Sequence, residues 1–314
     1  MAPDKYRGTL SSAQAVRVIC SAITAKQTFP LPMADGGEGT AAIIASRSAG
    51  WEMLSEGCYV NTLLKKAAID SSAFIGYTGQ ILSVPPSQRT SSPLGEILND
   101  VYSEFRPSTI YLGIGGTAVC DAGKGMLKVL KTTINWKNIL IGLADVAVPL
   151  TPPDFTAFPD SLSALSFCPQ KGYSSAEIKA IEREFRKLRS CSPFSGAGGG
   201  LGFALADVLG AKCFSGAKWM IDTADIPWEE VELVITGEGK YDNQSAKGKI
   251  VNTLASEGAK HGVKTICMAG CVEETVNTFP NLMIIDTSRH YPHLPLNSST
   301  ASLRLFAATQ SLNL

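Results

Sequence analysis

The chain has 314 residues, with 28 Lys+Arg against 28 Asp+Glu, 18% charged and 45% hydrophobic residues. This balance is globular, allows one large domain or two, and excludes disordered and fibrous classes. Without a basic excess, nucleic acid is excluded as the main partner.

Taken in order, residues 11–26 place Ala15, Val18, Ile19, Ala22 and Ile23 on one face, which predicts a helix buried on one side. Residues 51–95 are shorter pieces of mixed polarity with Ser and Pro clusters, expected to be irregular and partly antiparallel. Apolar runs at 109–114 and 139–144 predict strands, and 149–160 is a Pro-rich loop. Residues 174–189 predict a second helix on Ile178, Ile181, Phe185 and Leu188, with Ser174 and Glu177 at capping-box spacing. Strands are expected at 231–236, 263–268 and 281–286. The stretch 231–268 reads as strand, Gly-rich loop, helix from about Ser245, and strand, hence a parallel βαβ unit. Runs that are apolar throughout suit strands covered on both faces.

No apolar run approaches the ~18–20 residues of a bilayer span. Asp4, Lys5 and Arg7 precede any apolar stretch, so the start does not read as a secretory signal. Eight cysteines are spread thinly, which suits reduced thiols and a cytoplasmic location. Cys267 and Cys271, with His290 and His293, are poorly spaced for zinc.

Four loops mix glycine with acid: Asp35-Gly36-Gly37-Glu38-Gly39-Thr40; Gly113-Ile114-Gly115-Gly116-Thr117-Ala118, followed by Asp121; Ser195 to Gly202, with Gly198 and Gly199 inside; and Thr236-Gly237-Glu238-Gly239-Lys240-Tyr241-Asp242, with Lys247 and Lys249 downstream. Glycine lets backbone N–H groups approach an anion. Carboxylates beside them would repel a bare phosphate, so they suggest a divalent cation between acid and phosphate, or substrate hydroxyls. Together these point to a magnesium nucleotide and a polar small molecule. A single such loop is more often a turn than a ligand site. Gly113, Gly115 and Ala118 also fit a dinucleotide fingerprint, but Lys131–Leu140 lacks the acid that pattern needs. Walker A and G-x-S-x-G patterns are absent.

These segments resemble the type 1 glycerate kinases. Ala2 through Leu10 is similar to APDSFKGSL, and Asp35 through Thr40 matches DGGEGT. Gly113 through Leu127 resembles GIGGSATNDGGAGML, and Phe167 through Gly172 resembles FGPQKGA. Gly196 through Gly202 resembles GAAGGLG, and Thr236 through Lys249 resembles TGEGRxDxQTxxGK. The motifs keep the family's order over nearly the whole chain.

The resemblance implies transfer of the γ-phosphoryl of ATP to a hydroxyl of glycerate, in a cleft between two α/β domains. One would be flavodoxin-like with a parallel sheet, from residues 1–48 plus 228–314. The other, 49–227, would be inserted and carry a mixed sheet. Its partners would be ATP and glycerate, not nucleic acid or membrane, with monomer or homodimer left open. On this reading Asp35, Asp242, Glu238 and Arg7 are the catalytic candidates, and Asp35 or Asp242 is the base. Asp242 and Glu238 are the Mg²⁺ candidates. Asp4, Glu38, Gly115, Gly116, Asp121, Asp145, Gly198, Gly199 and Lys249 are the substrate and phosphate candidates.

The departures carry expectations too. The short apolar strand that usually precedes the first motif is missing, which should expose ladder partners. Arg7 stands where the family has Lys, and the two cations have different shapes. Cys120 replaces Asn, Ala122 replaces Gly, and Val148 replaces a polar residue near Asp145. A non-catalytic relative, a kinase for another small hydroxy acid and a nicotinamide-dependent oxidoreductase are the competing readings.

Overall fold

The computed structural model describes residues 1–25, 27–151, 163–190, 192–242, 245, 249–273 and 279–312. Most of the Pro-rich 149–160 segment, Cys191 and Lys247 fall outside them. The chain forms two compact α/β units. One joins Met1–Asp35 to Ala217–Leu314, and the other is Gly36–Gly216. Both divisions lie N-terminal to the 48/49 and 227/228 bounds expected from sequence. The helix Thr40–Ser46 lies in the second unit because its apolar residues Ala41, Ile43 and Ile44 pack on that unit's sheet.

The second unit is built on six strands: β1 Glu52–Ser55, β2 Cys58–Asn61, β3 Lys66–Asp70, β4 Thr109–Gly113, β5 Leu140–Ala144 and β6 Lys212–Ser215. They lie in sequence order. β1, β2 and β3 pair antiparallel, and β3 through β6 pair parallel. This is the mixed sheet expected, with its antiparallel part where the sequence reads as irregular. Ile69, Ile110, Leu112 and Leu140 are buried in its core with Leu94 and Leu98 of helix Ser92–Phe105. That helix meets helix Lys124–Val129 at Gly95, where a Cβ would lie 2.4 Å from Val129 and 2.7 Å from the Met126 carbonyl. The close approach requires glycine.

The first unit carries β7 Leu233–Glu238, β8 Lys264–Ala269 and β9 Leu282–Asp286, all parallel. Both faces are covered. Ile266 and Met268 pack with Ala15 and Ile19 of helix Ser12–Ala22 and Leu305 of helix Ser298–Gln310. Cys267 and Ala269 pack on the opposite face with Val251 and Ala255 of helix Ile250–Lys260. Burial on both faces is why these strands carry no polar alternation.

Two extended segments continue this sheet beyond β7. Ala2 and Asp4 donate their backbone N–H groups to the carbonyls of Ile235 and Gly237, at 2.8 and 2.9 Å. Leu31 and Met33 donate to the carbonyls of Met1 and Pro3, at 2.8 and 3.1 Å. Both pairings advance by two residues in the same sense, as parallel neighbours do. The exposed ladder partners expected from sequence are therefore met by Met1–Asp4. Pro3 takes part through its carbonyl alone, having no N–H to donate. The resulting order is 31–33, 1–4, β7, β8, β9, the flavodoxin-like arrangement.

Two helix boundaries sharpen the sequence reading. Ser174 caps helix Ser175–Phe185 through the capping box with Glu177. The helix expected from about Ser245 begins instead at Ile250, with Lys249 as its N-cap residue. Ser245 belongs to the preceding turn, where its N–H donates to the Asp242 carbonyl at 2.9 Å.

Candidate active site

In the first unit, the carboxyl ends of three neighbouring extended segments carry acids. Asp35 follows the 31–33 segment, Asp4 ends the 1–4 segment, and Glu238 ends β7. All three are buried, at 9%, 8% and 6% relative exposure. The 1–4 segment is where the sheet changes direction of growth, its two neighbours leading to opposite edges. Ligands of open α/β sheets bind beyond the strand ends at such a point.

The local chain is shaped to make this possible. A Cβ on Gly237 would lie 2.2 Å from the Tyr6 hydroxyl, and one on Gly239 would lie 3.1 Å from the Arg7 nitrogen. These glycines give the 1–10 segment its room. Tyr6 locks the segment down by donating its hydroxyl to the Met268 carbonyl at 2.5 Å. Arg7 follows on an exposed turn with Gly8 at φ 76°.

Like charges held away from water hold protons. Burial pushes the Asp4 carboxyl up to about 8, and the Asp35 charge adds to it. Burial also pushes Glu238 up to about 7, against the pull of Lys249 and a hydrogen bond with Ser245; Asp35 and Asp242 raise it further. Lys249 is thus not on a solvated helix face. It stands half-buried at the helix cap, close enough to act on Glu238. Asp242 is partly buried, 3.4 Å from the Lys240 ammonium, and Lys240 also pairs with Glu273 at 2.7 Å.

Among the described residues, no group of three or more His, Cys, Asp or Glu could by itself hold a metal ion. Magnesium bound with a nucleotide asks for less, typically one or two carboxylates plus phosphate oxygens and water. Glu238 Oε1 is a buried carboxylate oxygen without a hydrogen-bond partner. With Asp242 acting on it electrostatically, it is a donor of the right kind. The residues therefore fit Mg²⁺. Cys267 and Cys271 do not form the zinc site weighed above: Cys267 is buried within β8 and Cys271 is exposed beyond its end, both as thiols.

In the second unit, the remaining candidates gather at the carboxyl ends of β3, β4 and β5. Asp70, the last residue of β3, accepts from the N–H groups of Gly39 and Ala41, both at 2.8 Å. It holds the Gly36–Thr40 turn, on which Glu38 is exposed. Gly115 donates to the Gly36 carbonyl at 3.0 Å. A Cβ on Gly115 would lie 2.5 Å from the Asp145 carboxyl carbon, so Asp145, just beyond β5, packs on this loop. Gly116 is exposed, at φ 73°.

Asp121 is turned toward the protein itself. Its oxygens accept from the Ser91 N–H and hydroxyl and from the N–H groups of Gly123 and Gly125, at 2.8 to 3.0 Å. Gly198, Gly199 and Gly200 are successive left-handed residues. Side chains there would strike Ile114 O at 2.3 Å, Val119 O at 2.1 Å and Ala122 Cα at 2.6 Å. The run is glycine so that it can lie directly on the 113–123 loop.

Sequence reasoning left Lys171 and Asp70 out of the site. Lys171 is buried, and its ammonium donates to Thr117 Oγ1 at 3.2 Å and Val119 O at 2.9 Å. Burial pulls its pKa down, while Cys120, Cys168, Asp145 and Asp121 raise it. The Phe167–Gly172 motif was a signal for Lys171. Asp70 lies in no motif, and only the pairing of β3 with β4 brings it to the glycine turn.

Two sheets with acids and glycine loops at their strand ends define a two-unit α/β protein. A family model for the glycerate kinase family matches residues 1–138 and 143–292. The chain belongs to that family. It is 30% identical to the glycerate 2-kinase of Escherichia coli K12, over 88% of this chain and 86% of that protein. It is 27% identical to a glycerate kinase of Halalkalibacterium halodurans, over 86% and 84% of the two chains. The fold is similar to a crystal structure assigned to glycerate kinase 2 of Salmonella typhimurium LT2. The TM-score is 0.67 at 22% identity, covering 99% of this chain and 95% of that one. Among the described residues, no helix is long and apolar enough to cross a membrane.

Proposed function

We propose that this chain is an ATP-dependent glycerate kinase. It transfers the γ-phosphoryl group of ATP to a hydroxyl of glycerate, giving phosphoglycerate and ADP. Family membership supplies the reaction class. The observation that carries the reading is the buried carboxylate group Asp4, Asp35 and Glu238 at the direction change of the parallel sheet.

Phosphoryl transfer asks a protein for positioning, charge neutralisation and a place for the acceptor's proton. Mg²⁺, when bound with ATP, supplies neutralisation of the phosphate oxygens; Glu238 and Asp242 would hold it. The hydroxyl's proton goes to Asp35 or Asp242. Arg7 and Lys249 clamp the glycerate carboxylate or balance the transferred group. Gly116 offers a backbone donor to phosphate from its exposed turn, while Gly115, its N–H held by the Gly36 carbonyl, fixes the loop together with Asp145 and Lys171. The cytoplasmic location expected from the thinly spread cysteines is part of this proposal.

The test is a coupled assay of ADP release from the purified chain with Mg-ATP, with and without D-glycerate. Glycerate-dependent release is expected. Release with another hydroxy acid alone would reassign the substrate. No release from a folded protein with any hydroxy acid would make the chain a non-catalytic relative.

A further inference from the structure

Cys120 and Cys168 are 48 positions apart in sequence, yet their sulfur atoms lie 3.2 Å apart in the buried core of the second unit. Neither belongs to the proposed phosphotransfer chemistry. The two segments carrying them are already cross-linked beside the pair. The Cys120 N–H donates to the Tyr173 hydroxyl at 3.1 Å. The Lys171 ammonium donates to the carbonyl of Val119, next to Cys120, at 2.9 Å. The N–H groups of Lys171 and Tyr173 in turn donate to the Cys168 carbonyl, at 3.0 and 3.2 Å. The backbone around both thiols is therefore fixed, and the sulfurs face each other. A disulfide needs a separation of about 2.05 Å, so closing the gap asks for roughly 1 Å of movement shared by two side chains.

The chemistry of the pair is asymmetric. The contact with Cys168, followed by the Lys171 charge, holds the Cys120 thiol below its ordinary value in spite of burial. The Cys168 thiol is pushed up by the same contact and by burial. The Lys171 ammonium, bonded to the carbonyl next to Cys120, favours a thiolate at Cys120.

We propose that Cys120 and Cys168 are a redox modification site, closed by a hydroperoxide into a reversible disulfide that ties the 113–123 glycine loop to the Phe167–Tyr173 segment. Cys120 sulfur attacks the peroxide and becomes a sulfenic acid, with loss of one water. Cys168 sulfur then displaces the hydroxyl from Cys120, with loss of a second water. Two thiols and one hydrogen peroxide become one disulfide and two waters. A dithiol such as dithiothreitol returns both thiols by exchange.

The test treats the full chain with hydrogen peroxide, blocks residual thiols and maps peptides without reduction. The expected result is a Cys120–Cys168 cross-linked peptide, lighter by two hydrogens and lost on dithiothreitol treatment. The oxidised protein should melt several degrees higher than the reduced one, because the bridge closes a long loop. Cys168→Ala should abolish both the cross-link and the melting shift. A cooperative melt of that variant in its reduced form confirms its fold, and Cys168→Ser gives a second, polar replacement for the same reading. Recovery of both cysteines as free thiols, or of Cys120 as an unlinked sulfinic acid, at peroxide levels that oxidise a control dithiol, would overturn the proposal. This test is independent of whether glycerate is the substrate.

Discussion

The acids of the first unit and those of the second are used in opposite ways. Asp70 and Asp121 spend their oxygens on the protein's own N–H and O–H groups, so they hold loops. Asp4, Asp35 and Glu238 are buried beside one another, and two of them are pushed toward neutrality by lost solvation and mutual charge. In the second unit Asp70 and Asp121 have become architecture. The first unit holds its carboxylates in an arrangement that a cation would relieve. Burial by itself therefore does not identify a functional acid; the bonded donors and the neighbouring charges have to be read with it.

The largest test of this contrast is in the first unit. Asp242→Asn should lower the glycerate-dependent turnover by about 10² to 10⁴-fold, with the melting temperature nearly unchanged. Asp35→Asn in the same assay separates the base from a metal ligand: the variant that resists rescue by excess Mg²⁺ marks the base. An unchanged rate in both would remove this acid group from the mechanism.

In the second unit the same kind of change should affect stability first. Asp121→Ala leaves the Ser91, Gly123 and Gly125 donors without their acceptor and should cost about 3 kcal/mol in urea unfolding. A cost below about 0.5 kcal/mol would show that these bonds do not hold the loop.

The next effect is a pH dependence of opposite sign to that of an ordinary salt-bridged acid. Asp4 and Glu238 have folded-state values raised to about 8 and about 7, above ordinary carboxylates. Their favourable contribution is fully present below about pH 4 and is lost as pH rises through 7 to 8. Metal-free protein should thus lose unfolding free energy from this source between pH 5 and pH 8. Asp4→Asn should flatten that slope, and Mg²⁺ should recover part of the loss at pH 8. A slope unchanged by Asp4→Asn would contradict the raised value.

The smallest effect concerns a single departure. Ala122 sits at φ 56°, in the left-handed region, where the resembled motif has glycine. Ala122→Gly should relieve strain and stabilise by up to ~1 kcal/mol, the gain being limited by the freer unfolded chain. A destabilised variant would mean that the Ala122 methyl's packing outweighs its backbone strain.

Much of this protein is legible in its sequence, for identifiable reasons. Mostly apolar runs at 109–114, 139–144, 231–236, 263–268 and 281–286 produced strands close to those bounds, because largely buried strands leave little room for polar alternation. Ser174 and Glu177 produced their cap because the capping box is a local geometry. Ordered motifs pointed to the family, since glycine loops with acids at strand ends tolerate few other residues.

Other features were decided only in three dimensions. Met1–Asp4 is too short, with a proline in its middle, to read as a strand, yet carbonyls of β7 and N–H groups of 31–33 make it one in function. Asp70 and Asp121 look alike in sequence to Asp35 and Glu238; the surrounding N–H groups make the former structural. Cys120 and Cys168 met because packing of the 113–123 loop on the Phe167–Tyr173 segment brought distant positions together. Local pattern determines which residues form each element, because propensity, capping and turn geometry act over a few residues. Which charges are satisfied, and which thiols touch, depends on contacts between distant segments, and these exist only once the chain has closed on itself.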